Sequence, residues 1–169
     1  MDKVTGMSGK SARLAILQAF ADIILESGYE KVRVLDIVAR SGVARSTFYE
    51  HFQSREDVLR DSMRGPFEIL AQLAAPSCDI ARVAATVNHF MENRALAKSV
   101  MGNPGTETLI DLLAESIEAQ AGSAVPVLIA RAAAGAQLAV ISSWLDGKTA
   151  CDANDVAHML RKMSLALLM

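Results

Sequence analysis

The run from Ile37 to Asp57, IVARSGVARSTFYEHFQSRED, limits what this chain can fold into more than any other stretch. Ile37 to Ser41 closes one helix. Gly42 is the turn residue, because glycine alone takes a positive φ without a steric penalty. Ala44 to Phe52 forms the next helix, with Val43, Phe48 and Phe52 on one side and Arg45, Ser46, Thr47, Tyr49 and His51 on the other. Ile37, Val43 and Phe48 then converge on a small core. A short helix, a glycine turn and a second helix with a polar outer face make a helix-turn-helix, whose second helix enters the DNA major groove.

The same residues resemble the TetR family of bacterial transcriptional regulators. Asp36, Ile37, Gly42, Val43, Thr47, Tyr49, His51, Phe52, Ser54, Glu56 and Asp57 match that family's pattern without a gap, and Phe48, Arg55 and Val58 are conservative replacements. The resemblance covers about the first third of the chain. There are two departures. Arg33 and Ala44 stand where the family usually has a Ser or Thr capping a helix, and neither side chain accepts an orphan helix N–H, at a cost of about 1 kcal/mol for a lost cap.

Periodicity predicts an all-α chain. A first helix spans Ser11 to Ser27, with Leu14, Leu17, Ala21, Ile24 and Leu25 as its apolar stripe, widened by Ile16, Phe20 and Ile23, and Gly28 ends it. A fourth helix opens at Ser54, where Ser54 and Asp57 approximate a capping box. Gly65-Pro66 predicts a kink or break there, dividing an N-terminal helix-turn-helix domain, 1–65, from a helical ligand-binding and dimerisation bundle, 66–169. Further helices are expected over Ile80 to Met101 (capped by Asp79), Thr106 to Ala121 (capped by Thr106), Pro126 to Leu145, and Asn154 to Leu168. Gly102-Asn-Pro-Gly should break the chain between two of them. Met1 to Gly9 reads as a polar arm.

Charge is informative only locally. The net charge is −2, but Arg33 to Arg55 holds four arginines against Asp36 and Glu50. Phosphate responds to local positive charge rather than to the total. Cys78 and Cys151 form no metal-type pair, and no secretory signal is read at the start, so a reducing cytoplasm is expected. The stretch from Val127 to Leu145 is apolar nearly all round, but Arg131 argues against a membrane span. His51, His89 and His158 are far apart, and there is no HExxH, phosphate loop or nucleophile elbow. Catalysis, a metal and a cofactor are therefore not expected.

The expected partners are double-stranded operator DNA and a second copy. Arg45 is placed to bond guanine O6 and N7, with a phosphate contact or plain solvation as alternatives. Ser46 and Thr47 suit phosphate or base edges. Arg33 is a candidate phosphate ligand, and Arg55, at a helix N-terminus, is another. The resemblance implies that Tyr49 and His51 contact phosphate. It also implies pairing of the last two helices with their copies in a four-helix bundle. Ala132, Ala136, Ala139, Ile141, Met159 and Met163 are the candidate dimer residues, against an internal core as the alternative. A small hydrophobic effector is implied as well, with Asn88, His89, Met91, Met101 and Trp144 as candidate lining residues. A helical dimer acting through protein–protein contacts, with a vestigial DNA-binding head, is the alternative function.

Overall fold

A computed structural model describes residues 9–102, 105–121 and 125–168. Its described residues form nine α-helices and no strand: α1 Gly9–Ser27, α2 Val34–Ser41, α3 Arg45–His51, α4 Arg55–Ala71, α5 Ile80–Glu92, α6 Arg94–Met101, α7 Gly105–Ala121, α8 Val127–Leu145 and α9 Ala153–Leu168. The chain divides into two compact units, Met1–Ser62 and Met63–Met169. Most of the N-terminal arm, and Asn103 and Pro104 of the expected breaker, lie outside the described residues.

In the first unit α1 packs on α2 and α3. Its buried face is Ala12, Ile16, Ala19, Phe20, Ile23 and Ile24, while Leu14 and Leu25 are 54% and 52% exposed. The expected stripe was thus rotated toward solvent. α1 is apolar over most of its circumference, so leucines alone do not mark the inner face. Gly28, at φ 83°, ends the helix, and Gly42, at φ 69° and ψ 10°, makes the left-handed turn between α2 and α3. Arg40 Nη2 reaches Glu26 Oε2 at 2.6 Å, tying α2 to α1. That hydrogen bond is the first cause holding the Glu26 carboxyl below its ordinary range.

Of the expected kink or break, α4 overturns the break: it is assigned as one helix from Arg55 to Ala71 with Pro66 inside. Proline in a helix interior costs about 3 kcal/mol. Phe67 and Leu70 are buried immediately after it, and burying two such side chains returns about 3–6 kcal/mol, so burial wins. At the start of α4 the Ser54 half of the expected capping box forms, and the return bond to the Asp57 carboxylate comes from Gln53, one residue earlier. Ser54 Oγ accepts from Asp57 N at 3.1 Å, and Asp57 Oδ2 accepts from Gln53 N at 2.9 Å.

In the second unit α8 packs between α7 and α9, and α9 also packs on α5. Ala130, Ala133 and Ala134 are buried, and small side chains let neighbouring helices approach closely. Buried Gln137 donates to Ser164 Oγ at 3.1 Å, joining α8 to α9. Arg131 pairs with Glu107 and Asp111 of α7. By length and composition α8 could cross a membrane; its Arg131 and Gln137 make polar pairings with α7 and α9. Trp144 Nε1 donates to the Cys151 carbonyl at 2.9 Å, and Arg161 Nη1 donates to the carbonyls of Leu73 and Ala75, both at 3.3 Å.

Several boundaries differ from expectation. The helix expected over Ile80 to Met101 is two, α5 and α6, divided at Asn93. The Asn93 side chain donates to the His89 carbonyl at 3.0 Å, an offer that competes with the helical ladder. Asp79 does cap α5, accepting from Ala81 and Arg82 N–H. Thr106 does not cap α7: it lies inside the first turn, and its hydroxyl bonds the Met101 carbonyl. Pro126 precedes α8 as its cap residue rather than opening it. α9 begins at Ala153, behind a reciprocal box in which Asp155 N donates to Asp152 Oδ1 at 2.9 Å and Asp152 N to Asp155 Oδ2 at 3.2 Å.

Gly42→Ala keeps the same contacts but forces a side chain into the left-handed region. It should lower the stability of the first unit by about 1–2 kcal/mol, read as a fall in the urea midpoint followed by circular dichroism. An unchanged midpoint would mean that the turn does not hold this geometry in solution.

Candidate nucleic-acid interface

α3 is seven residues long, too short to be stable alone, since isolated helices under ~12–15 residues are marginal in water. Burial holds it. Phe48 is 0% exposed, and Val43 and Phe52 flanking the helix are also buried. The ring of Phe48 lies 6.0 Å from that of Phe52. With Phe48 inward, Arg45, Ser46, Tyr49 and Glu50 are exposed, and Thr47 and His51 are half-buried at the margins. Ala44 provides no side-chain cap, as expected, so the first amides of α3 remain available.

His51 lies beside the first turn of α1: a β-carbon built on Gly9 would sit 3.5 Å from His51 Cε1. Free amides and the positive end of the dipole at a helix start favour an anion. Sequence reasoning did not pair these two features, because they are far apart along the chain.

Of the four arginines between Arg33 and Arg55, three are committed within the protein. Arg33 forms a fork with Asp36 at 2.9 and 3.2 Å on the surface. Arg40 holds Glu26. Arg55 is the largest departure from expectation. Its Nη1 donates to the carbonyls of Glu30 and Val32, both at 2.9 Å, and of Tyr29 at 3.4 Å. Its Nε bonds Glu56 Oε1 at 2.8 Å, and its guanidinium stacks 5.0 Å from the centroid of the Tyr29 ring. The bond to Glu56 leads the causes that raise the Arg55 pKa. Arg55 therefore clamps the turn between α1 and α2, where the sequence suggested a free phosphate ligand. Arg45 differs from all three: among the described residues it pairs with no carboxylate, and it lies 5.7 Å from the centroid of the Tyr49 ring.

The second unit carries an exposed apolar face. Ala132, Ala139 and Met159 are exposed, and Ala136 and Met163 are half-buried. Ile141 is corrected: it is 0% exposed within one chain and belongs to the core. Sequence reasoning missed Leu128, 79% exposed, with Val127 and Ile129 beside it. Their apolar character was legible, but a helix apolar on every side does not reveal which of its residues lack a partner. A shallow groove of about 260 Å³ lies on this unit, lined by Ala139, Ser143, Trp144, Cys151, Val156 and Met159 among others.

The candidate lining residues are not brought together in that groove. Asn88 and His89 are on the solvent side of α5, where Asn88 bonds Glu92 at 2.8 Å, so neither lines an interior pocket. Met91 and Met101 are half-buried elsewhere. Of the five, Trp144 alone lines this groove.

A buried phenylalanine presenting a short polar helix after a left-handed glycine turn defines a helix-turn-helix head on an all-helical chain. Residues 16–61 match the family model described as bacterial regulatory proteins, tetR family. A Bacillus subtilis (strain 168) protein, the uncharacterized HTH-type transcriptional regulator YvdT, is 40% identical over 52 residues, covering 31% of this chain and 26% of that protein. The match thus spans about a quarter of the relative's length. Among solved structures, a TetR transcriptional regulator from Streptococcus agalactiae 2603V shares the fold at a TM-score of 0.59 and 19% identity, over 92% of this chain and 94% of that one. Salmonella enterica GusR does so at 0.54 and 21%, over 99% of each chain. The N-terminal head thus matches the TetR family model over residues 16–61, and the chain as a whole shares its fold with solved TetR-family regulators.

Removing the Arg55 clamp should act on stability. Arg55→Ala leaves three carbonyls without their charged donor, and the head should lose about 1–3 kcal/mol, measured as a lower midpoint in urea. A variant with unchanged stability would return Arg55 to the surface as an available cation.

Proposed function

We propose that this chain is a DNA-binding transcriptional regulator, acting as a repressor, which reads a palindromic operator as a homodimer and is released by a small hydrophobic effector. The observation that carries this reading is the outer face of α3, where, among the described residues, Arg45 alone of its group of four arginines has no carboxylate or carbonyl acceptor. In this reading residues 1–65 bind DNA, and 66–169 dimerise and respond to the effector. Arg45 bonds a guanine edge, worth about 1–3 kcal/mol of discrimination. Ser46, Thr47, Tyr49 and His51 hold phosphates and set register, His51 together with the first amides of α1. Arg33 exchanges Asp36 for a phosphate at the margin.

The exposed stripe of α8 and α9, with Leu128, Ala132, Ala139 and Met159, is the proposed surface for the second copy. Large contiguous apolar patches on soluble chains mark interaction sites. The groove beside Trp144 suits a small apolar effector; at about 260 Å³ it falls just below the ~300–1,000 Å³ of ordinary ligand pockets. It shares Ala139 and Met159 with the proposed dimer surface, so an occupant there would bear on the geometry of the pair. The free thiols of Cys78 and Cys151 fit a reducing cytoplasm.

Fluorescence anisotropy against duplexes tiling the DNA around the protein's own gene tests the reading. One palindromic tile should be preferred, with affinity falling as salt rises, and Arg45→Ala should relax selectivity at one base pair per half-site. Equal binding to all tiles at low salt, by an intact dimer, would overturn the operator reading. Leu128→Glu tests the dimer. Its side chain is 79% exposed within one chain, so the fold should survive while sedimentation shifts from dimer to monomer and operator affinity drops. A wild type that sediments as a monomer at micromolar concentration would remove the homodimer.

A further inference from the structure

Arg45 and Tyr49 lie one turn apart on α3. The 5.7 Å between guanidinium and ring centroid falls within the ~6 Å over which a cation is attracted to an aromatic face. The ring is itself braced, because Phe48 meets it edge-on at 5.4 Å and 88°, and Phe48 is fully buried. A core ring thus fixes a surface ring, and the surface ring holds a long flexible cation. An unrestrained arginine loses much rotamer freedom when it binds, and ordering it beforehand removes part of that loss.

We propose that Tyr49 is the positioning residue for base reading by Arg45, in addition to any phosphate contact of its hydroxyl. This rests on α3 entering the major groove, as proposed above. The two roles of Tyr49 separate chemically. A hydroxyl on phosphate carries no sequence information, so its loss weakens every duplex alike. The ring acts through Arg45, so its loss erodes the preference at one base pair.

The test selects bound duplexes from a random-sequence pool with the wild type, Arg45→Ala, Tyr49→Phe, Tyr49→Leu and Tyr49→Trp, then measures single-base-pair variants of the recovered site by anisotropy. Arg45→Ala identifies the base pair that Arg45 reads. Tyr49→Phe should keep the preference there while lowering affinity for all sequences equally. Tyr49→Leu should reduce it about two- to fivefold, the range expected for an exposed cation–aromatic contact, and leave other positions unchanged. Tyr49→Trp presents a stronger face and should retain it. Tyr49 is 38% exposed, so these variants should fold, and circular dichroism checks each one. If Tyr49→Leu is misfolded, a lost preference in well-folded Tyr49→Trp would by itself overturn the proposal. If Tyr49→Leu keeps the preference and weakens all sequences alike, Tyr49 contacts phosphate only. The proposal then falls while the regulator reading stands. If Arg45→Ala changes no base preference, the positioning role falls with it. A wild type that recovers no motif overturns the reading of α3 itself, and this proposal with it.

Discussion

Burial of Phe48 is the constraint on which the head depends. A seven-residue helix cannot persist on its own hydrogen bonds, and α3 has no side-chain cap to help it. Its existence and its orientation come from one ring set into the core beside α1. That choice determines everything opposite. With Phe48 inward, helical spacing sends Arg45 and Tyr49 outward together, a turn apart on one face. The turn at Gly42 is the second half of the same constraint, since a positive φ there sets the direction in which α3 leaves α2.

Arginine serves two ends in this chain. Arg55 and Arg161 each direct donors at main-chain carbonyls of a turn, Tyr29 to Val32 in one unit and Leu73 with Ala75 in the other. A guanidinium offers several donors in a fixed fork, so one side chain bonds several carbonyls of a turn at once. Such a cation is spent within the protein and adds little to a field aimed at phosphate. The local excess of basic residues between Arg33 and Arg55 therefore overstates what the surface presents, and Arg45 gains weight because its neighbours in sequence are occupied.

How much was legible follows the same physics. The helix-turn-helix could be read because each of its demands is local: a glycine at the turn, an aromatic inward, polar residues outward, a Ser-Asp box at the start of α4. What depended on distant partners could not. Arg55 resembles a phosphate ligand by position, and only the fold brings the Tyr29–Val32 carbonyls to it. α1 and α8 are apolar on more than one side, so periodicity could not separate Ile16 from Leu14, or Ile141 from Leu128. Pro66 would break a helix by its own chemistry, and the burial of Phe67 and Leu70 overrides it. Asn93 carried a usable signal: an asparagine among strong helix formers is a common place for a helix to end.

The apolar face of the second unit and Arg45 on the outer face of α3 bear on one another through energetics alone. One bidentate guanine contact discriminates by about 1–3 kcal/mol, too little for one head to select a site among the many that a genome offers. Two heads on one assembly double that term and add a fixed half-site spacing, a requirement that random sequence seldom meets. If the chain reads an operator as proposed, then Leu128 and Met159, costly to leave in water, and Arg45, weak by itself, become two parts of one requirement, with selectivity coming from pairing.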